Sequence, residues 1–374
     1  MQVGHDVTWG GPGLDAGRDE LGRRWRGQPI ERGQGEPGLG AGQDGASDHG
    51  SIVADDAGGY AHPVIDAFLI RQTPEPALEI APAILAIRRD LATAATDLLA
   101  IPDTALETGW PWRDDEADIR YGLYRAIEAI EEAGAEVARI LRGTGAERSP
   151  AAERMAAATI ARWDLHGLLA SMDDATLDRH PGGGEWTARQ ALGHIVSGQR
   201  AYSWFTAWWA TRPLDEPTPD GVPDAVRDDA GLPDDEAEGE GSVADIRARF
   251  DAIVDLSAAR LAFLDDEGLA RPARWAGIPV TVGFRIGRWS SHVVEHTLQL
   301  DKTALALRRS PSEVERLVRL IHAAWGRVEA LVFPMAPSWL ATPDARGRSV
   351  EAILTALGAE LVADARSARS AADA

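Results

Sequence analysis

From Ala61 onward, apolar residues return every three or four positions, the period of helices with one buried face. Residues 77–100 set Ile80, Ile84, Ile87, Leu91, Ala94 and Leu98 on one stripe. A second stripe over about 116–142 carries Ile119, Leu123, Ile127, Ile130, Val137 and Ile140, and Gly143-Thr-Gly closes it. A third helix, about 151–171, carries Met155, Ile160, Trp163, Leu165 and Leu168. The fourth has a marked start: Thr187-Ala-Arg-Gln190 reads as a capping box, and the helix runs to about Thr211. A fifth opens at Ser242 and reaches about 266. The sixth, about 282–308, follows Thr281 as N-cap and presents Ile286, Trp289, Val293, Leu300, Ala304 and Leu307. Two more are predicted at about 311–332 and 348–370. Alternating β-type runs are nearly absent, so an all-α protein is predicted.

The pattern fails in three places. Residues 1–58 are rich in Gly and charge without a period, and disorder is predicted there. Between Pro213 and Gly241 lie eleven Asp or Glu and one Arg, the composition of a solvated, flexible loop. Trp275-Ala-Gly-Ile-Pro-Val reads as a short apolar connector. The expected organisation is therefore a disordered segment at 1–58, a helical hairpin at 59–148, a helical unit at 149–308 and a C-terminal helical pair at 309–374. A faint echo links Leu98–Ile127 with Leu168–Val196. It lays Asp118 on Thr187 as N-caps and puts Arg125 opposite His194. It reads either as a degenerate repeat or as two hairpins that happen to look alike.

Composition narrows the chemistry. The 374 residues include no Cys, which excludes disulfides, thiolate ligands and Cys nucleophiles. The net charge of −21 argues against nucleic acid, although nearly half of it belongs to the 213–241 loop. No run of apolar residues reaches membrane-spanning length, and no signal-like start is present, so a cytoplasmic protein is expected. Metal binding must then rest on His and carboxylates. His292 and His296, four apart on the sixth helix, lie one turn from each other, as chelation of one ion from one helix requires. His194 on the fourth helix offers a third nitrogen. Three imidazoles with open positions suit zinc, nickel or iron. The plain alternative is a chance i, i+4 pair and a core histidine.

Neighbouring residues carry further expectations. Glu295 completes His292-Val-Val-Glu295-His296, the H-x-x-E-H pattern of some metallohydrolases, in which Glu is the general base. Its plainer role is to accept a hydrogen bond from a ligand or to carry solvated charge. Gln299, one turn past His296, is a candidate to hydrogen-bond a metal-bound water or an acyl oxygen, with polar packing on the helix face as its plainer role. Trp204, Phe205, Trp208 and Trp209 read as core or interface before a substrate wall, and such aromatic helices make a homodimer an expectation. His5, His49, His166, His180 and His322 receive no role.

Gly184-Glu185-Trp186-Thr187, His194 seven residues later, an acidic loop, then His292-x-x-x-His296-x-x-Gln299 together resemble the DinB/YfiT-like family. The resemblance covers about 150–308. It implies an up-down-down-up four-helix bundle with additional flanking helices here, and a metal held by His194, His292 and His296. Members include thiol-dependent S-transferases and mycothiol-dependent maleylpyruvate isomerases. The implied partners are a low-molecular-weight thiol such as mycothiol and a small electrophile, with Glu295 and Gln299 as candidate catalytic residues. A non-catalytic bundle serving as a scaffold or stress-linked binding protein is the other reading.

Overall fold

A computed structural model describes residues 79–112 and 115–374; the predicted disordered segment 1–58, with His5 and His49, lies outside the described residues. Among the described residues eight long helices carry the fold: α1 (Pro82–Leu99), α2 (Ile119–Thr144), α3 (Pro150–Leu169), α4 (Ala188–Thr211), α5 (Val243–Leu261), α6 (Val282–Ala306), α7 (Glu313–Val332) and α8 (Val350–Ala372). Their starts are written in side chains. Thr187 and Gln190 form the expected capping box, and Ser242 with Asp245 and Ser312 with Glu315 form two more. Thr281 caps α6 through the Phe284 amide. Each cap satisfies amides that a helix start leaves without partners.

Helices α3, α6, α4 and α5 pack as one four-helix ring, with α6 touching both α3 and α4. Val196, Val293, Leu300, Phe250 and Leu165 fill its interior. A second set is built from both flanks of the first: α1 packs on α8, and α2 packs on α7 and α8. The two sets meet along α3 and α7, where the Trp163 and Trp325 rings stand edge to face at 6.2 Å. Gly326 allows the approach, because a Cβ there would lie 2.7 Å from that of Trp163. The same junction buries charge. Arg162 pairs with Asp251 and Asp255 at 2.7 and 2.6 Å, and Arg88 joins Asp255 to the fully buried Glu329. Such groups are tolerated only as a connected set, since removing one partner strands another charge.

Two small hairpins are added to the all-α expectation. Strands β1 (Gly109–Trp112) and β2 (Asp115–Asp118) precede α2, and β3 (Pro272–Trp275) and β4 (Ile278–Thr281) precede α6. The predicted connector at 275–280 is thus a tight turn, with Ala276 and Gly277 both at positive φ (48° and 81°). Two central residues of this kind match the right-handed twist of the strands they join.

The hairpins also re-register the internal echo. Asp118 corresponds to Thr281, not to Thr187: at one constant sequence offset, Gly109 falls on Pro272, Trp112 on Trp275 and Asp118 on Thr281 in the same pairing register. The bond from the Ile119 amide to the Thr108 carbonyl has its counterpart from Val282 to Arg271. Arg125 lies over the Trp112 ring as Arg288 lies over that of Trp275. At that offset Ala129 and Ala133 stand where the other copy has His292 and His296.

Candidate metal centre

The capped start of α4 places His194 two turns along that helix, and the β3–β4 hairpin with its Thr281 cap fixes α6 against it. His194, His292 and His296 then converge. One nitrogen from each ring lies within 4.8 Å of the others. The ring centroids are 5.2, 4.7 and 4.5 Å apart. Three imidazoles around one point, two of them from a single helix face, leave further positions of a divalent ion open.

Whether these residues fit an ion is tested by His292. It is 3% exposed, and neither ring nitrogen has a hydrogen-bond partner. An orphaned buried polar atom costs about 1–3 kcal/mol, and a metal bond would relieve one of the two. Burial, with His296 and His194 alongside, pulls His292 down to about 3, and burial also lowers His296. Both are therefore neutral at pH 7, the form a metal requires.

Two side chains orient the rings. His194 Nδ1 lies 2.8 Å from Asp235 Oδ2. An ionised carboxylate only accepts, so Nδ1 is the donor and Nε2 is the nitrogen left to face an ion. His194 in turn holds the Asp235 carboxyl below its ordinary range. His296 Nδ1 donates in the same way to Gln299 Oε1 at 2.7 Å.

Residues 157–300, which contain all three histidines, match the family model of the DinB superfamily. This bundle is a DinB domain. No curated protein and no solved structure matches the chain.

Within the DinB domain, Gln299 is engaged with the His296 ring, a polar contact along one helix face. Glu295 is exposed, and among the described residues it hydrogen-bonds to none of the three histidines. The third nitrogen comes from His194, upstream on α4, and not from a carboxylate after the H-x-x-E-H pattern, which departs from the hydrolase reading. The acidic stretch also departs from a wholly solvated loop. Its end forms a short helix, Asp235–Glu238, packed on α4; Glu238 is 1% exposed and pairs with Arg200. Sequence reasoning missed Asp235 because it sits within this acidic run.

Gly198, one turn beyond His194, was missed as well. A Cβ there would lie 2.9 Å from His292 Nε2 and 3.3 Å from Nδ1, so the glycine makes room for the ring. Trp186 stacks parallel to His296 at 6.3 Å and meets His194 edge-on at 5.2 Å. With Asp235, Gln190, Arg189 and His180 it lines a cleft of about 620 Å³ beside the centre. Of the expected aromatic group, Trp204 and Trp209 are buried, while Phe205 and Trp208 are half-buried. His166 and His322 are buried around Trp163 and take no part in the trio. Among the described residues, no helix is long and apolar enough to cross a membrane.

Proposed function

We propose that the chain is a divalent-metal-dependent thiol transferase or isomerase, with zinc, nickel or iron held by His194, His292 and His296. When bound, the ion would lower the pKa of a low-molecular-weight thiol such as mycothiol, making a thiolate available at neutral pH. The thiol proton would pass to solvent; in a transfer the sulfur would bond to an electrophilic carbon as that carbon's bond to an anionic leaving group breaks, and in an isomerisation it would add to a conjugated double bond, whose electron pair moves to the carbonyl oxygen, and depart again after rotation. The observation that carries this reading is the set of three converging imidazoles beside an open cleft, in a chain that contains no cysteine of its own. Asp235 and Gln299 hold the rings, and Trp186 shields one side of the centre. A reducing cytoplasm would supply the thiol.

The test begins with metal content of the purified protein, followed by thiol consumption against a panel of electrophiles. One equivalent of divalent metal, lost in His292→Ala, and turnover that requires His194 are expected. Metal without turnover for any thiol and electrophile would replace this reading with a non-catalytic metal-bound bundle. A protein that carries no metal would end it.

A further inference from the structure

The face of α6 that carries His296 and His292 continues, one and two turns back, with Arg288 and Arg285. At 1.5 Å per residue the two arginines begin about 6 and 10 Å along the helix axis from His292. Arg288 is half-buried and lies over the Trp275 ring at 5.4 Å. It faces the Tyr202 hydroxyl, and the Tyr202 ring meets His292 edge-on at 4.9 Å. Arg285 is 5% exposed, with Trp275 and Phe205 at 5.2 and 5.9 Å from its guanidinium carbon.

Among the described residues no carboxylate forms an ion pair with either arginine, and the Nε atom of each is buried without a partner. Burial with no acid to offset it pulls Arg285 down to about 10, so it stays charged at neutral pH. A buried cation is ordinarily paired, because taking it out of water is costly.

The matching unit, β1–β2 with α2, provides an internal comparison. Its counterpart of Arg288 is Arg125, which keeps the tryptophan contact but pairs with Glu128. In the histidine-bearing copy the position of Glu128 is taken by Ser291, which accepts from Arg288 at 2.8 Å and carries no charge. The unit that lacks the histidines pairs its arginine with an acid; in the unit that has them, no acid forms an ion pair with Arg288 among the described residues.

We propose that Arg288, with Tyr202 and Arg285 beside it, is a carboxylate-binding subsite of the histidine centre, selecting a small organic anion whose other end lies at His292. This rests on reading the trio as a ligand-binding centre, and it adds the substrate class. Tyr202, held protonated by burial, supplies a neutral donor next to the guanidinium. The carboxylate belongs either to the thiol or to its partner, and the arms below separate the two.

Full-length protein loaded with cobalt(II) is titrated with 3-mercaptopropionate and with its neutral amide, following the thiolate-to-cobalt absorption band. The acid should bind roughly tenfold to a hundredfold more tightly, the range of a charge-assisted hydrogen bond. Arg288→Gln should erase that preference and leave the amide's affinity unchanged, while Arg288→Lys restores part of it. Glutarate, titrated by calorimetry into metal-free protein, places the carboxylate on the sulfur-free partner. Binding weakened about tenfold by Arg288→Gln supports the subsite there, even if the thiol pair binds equally. Should cobalt fail to bind, the metal reading falls and the glutarate arm alone decides the subsite. A preference that survives Arg288→Gln overturns the proposal, as does the absence of any Arg288-dependent carboxylate binding in both arms.

Discussion

Replacing Gly198 by alanine adds one methyl group and should separate metal affinity from helix propensity. On an exposed helix the change would add stability, since glycine is about 1 kcal/mol worse than alanine in a helix interior. Here the new methyl meets the His292 ring, with Nε2 at 2.9 Å where carbon–nitrogen contacts relax at roughly 3.5 Å or beyond. The ring must therefore retreat by more than about half an ångström. A metal–nitrogen bond tolerates about 0.2 Å. His292 is buried, so repacking around it costs about 1–3 kcal/mol and offsets the propensity gain. Metal-free Gly198→Ala should thus melt within a few degrees of the parent. Its affinity for zinc, measured against a chromophoric chelator, should fall at least about a hundredfold, more than the loss typical of removing a group that only orients a ligand. Undiminished affinity in a folded Gly198→Ala protein would refute the placement of His292 as a ligand.

Asp235→Ala should lower zinc affinity roughly tenfold to a hundredfold in the same competition assay, because His194 loses the carboxylate that fixes its tautomer; equal affinity would mean that this contact does no orienting. Buried His322 has its pKa lowered to about 4, from 6.5. The unfolded chain takes up that proton first, so stability is intact above pH 6.5 and is lost as pH falls toward 4, by about 1.4 kcal/mol per unit. Urea midpoints from pH 7 to 4 should therefore show a shallower acid slope in His322→Phe than in the parent, and parallel slopes would contradict the assignment. Thr187→Ala removes the α4 cap, worth about 1 kcal/mol, so amide exchange in the first turn should quicken roughly fivefold. Unchanged exchange there would show that packing alone holds the helix start.

Much of this was legible along the chain, for identifiable reasons. Helices of twenty or so residues repeat their apolar period several times, and Thr187, Ser242 and Thr281 mark their starts by side-chain chemistry that acts locally. The histidine trio followed, since a capped start fixes where His194 falls and helical spacing pairs His292 with His296. What escaped depends on contacts between distant residues or on very short elements. A four-residue strand offers two side chains per face, too few to establish alternation, and Ala276-Gly277 is not the usual Asn-Gly turn signal. The match of Asp118 with Thr281 appears only when the two hairpins are compared. Asp235 reads as one acid among eleven until the short helix that carries it packs on α4. Gly198 inside a helix looks like a propensity defect until the His292 ring is set against it.

The order of the helices has a consequence for synthesis. The DinB ring is encoded without interruption from α3 to α6, so it can close as soon as α6 leaves the ribosome. The outer set cannot: α1 and α2 emerge before the ring, with Ile84, Ile87, Leu91, Ile130 and Val137 destined for burial, yet their partners α7 and α8 follow it. During that interval the apolar faces of α1 and α2 have only each other, or a chaperone, to cover them. The histidine-bearing half can mature on its own timetable, while the half whose helices flank it in sequence must wait for α7 and α8.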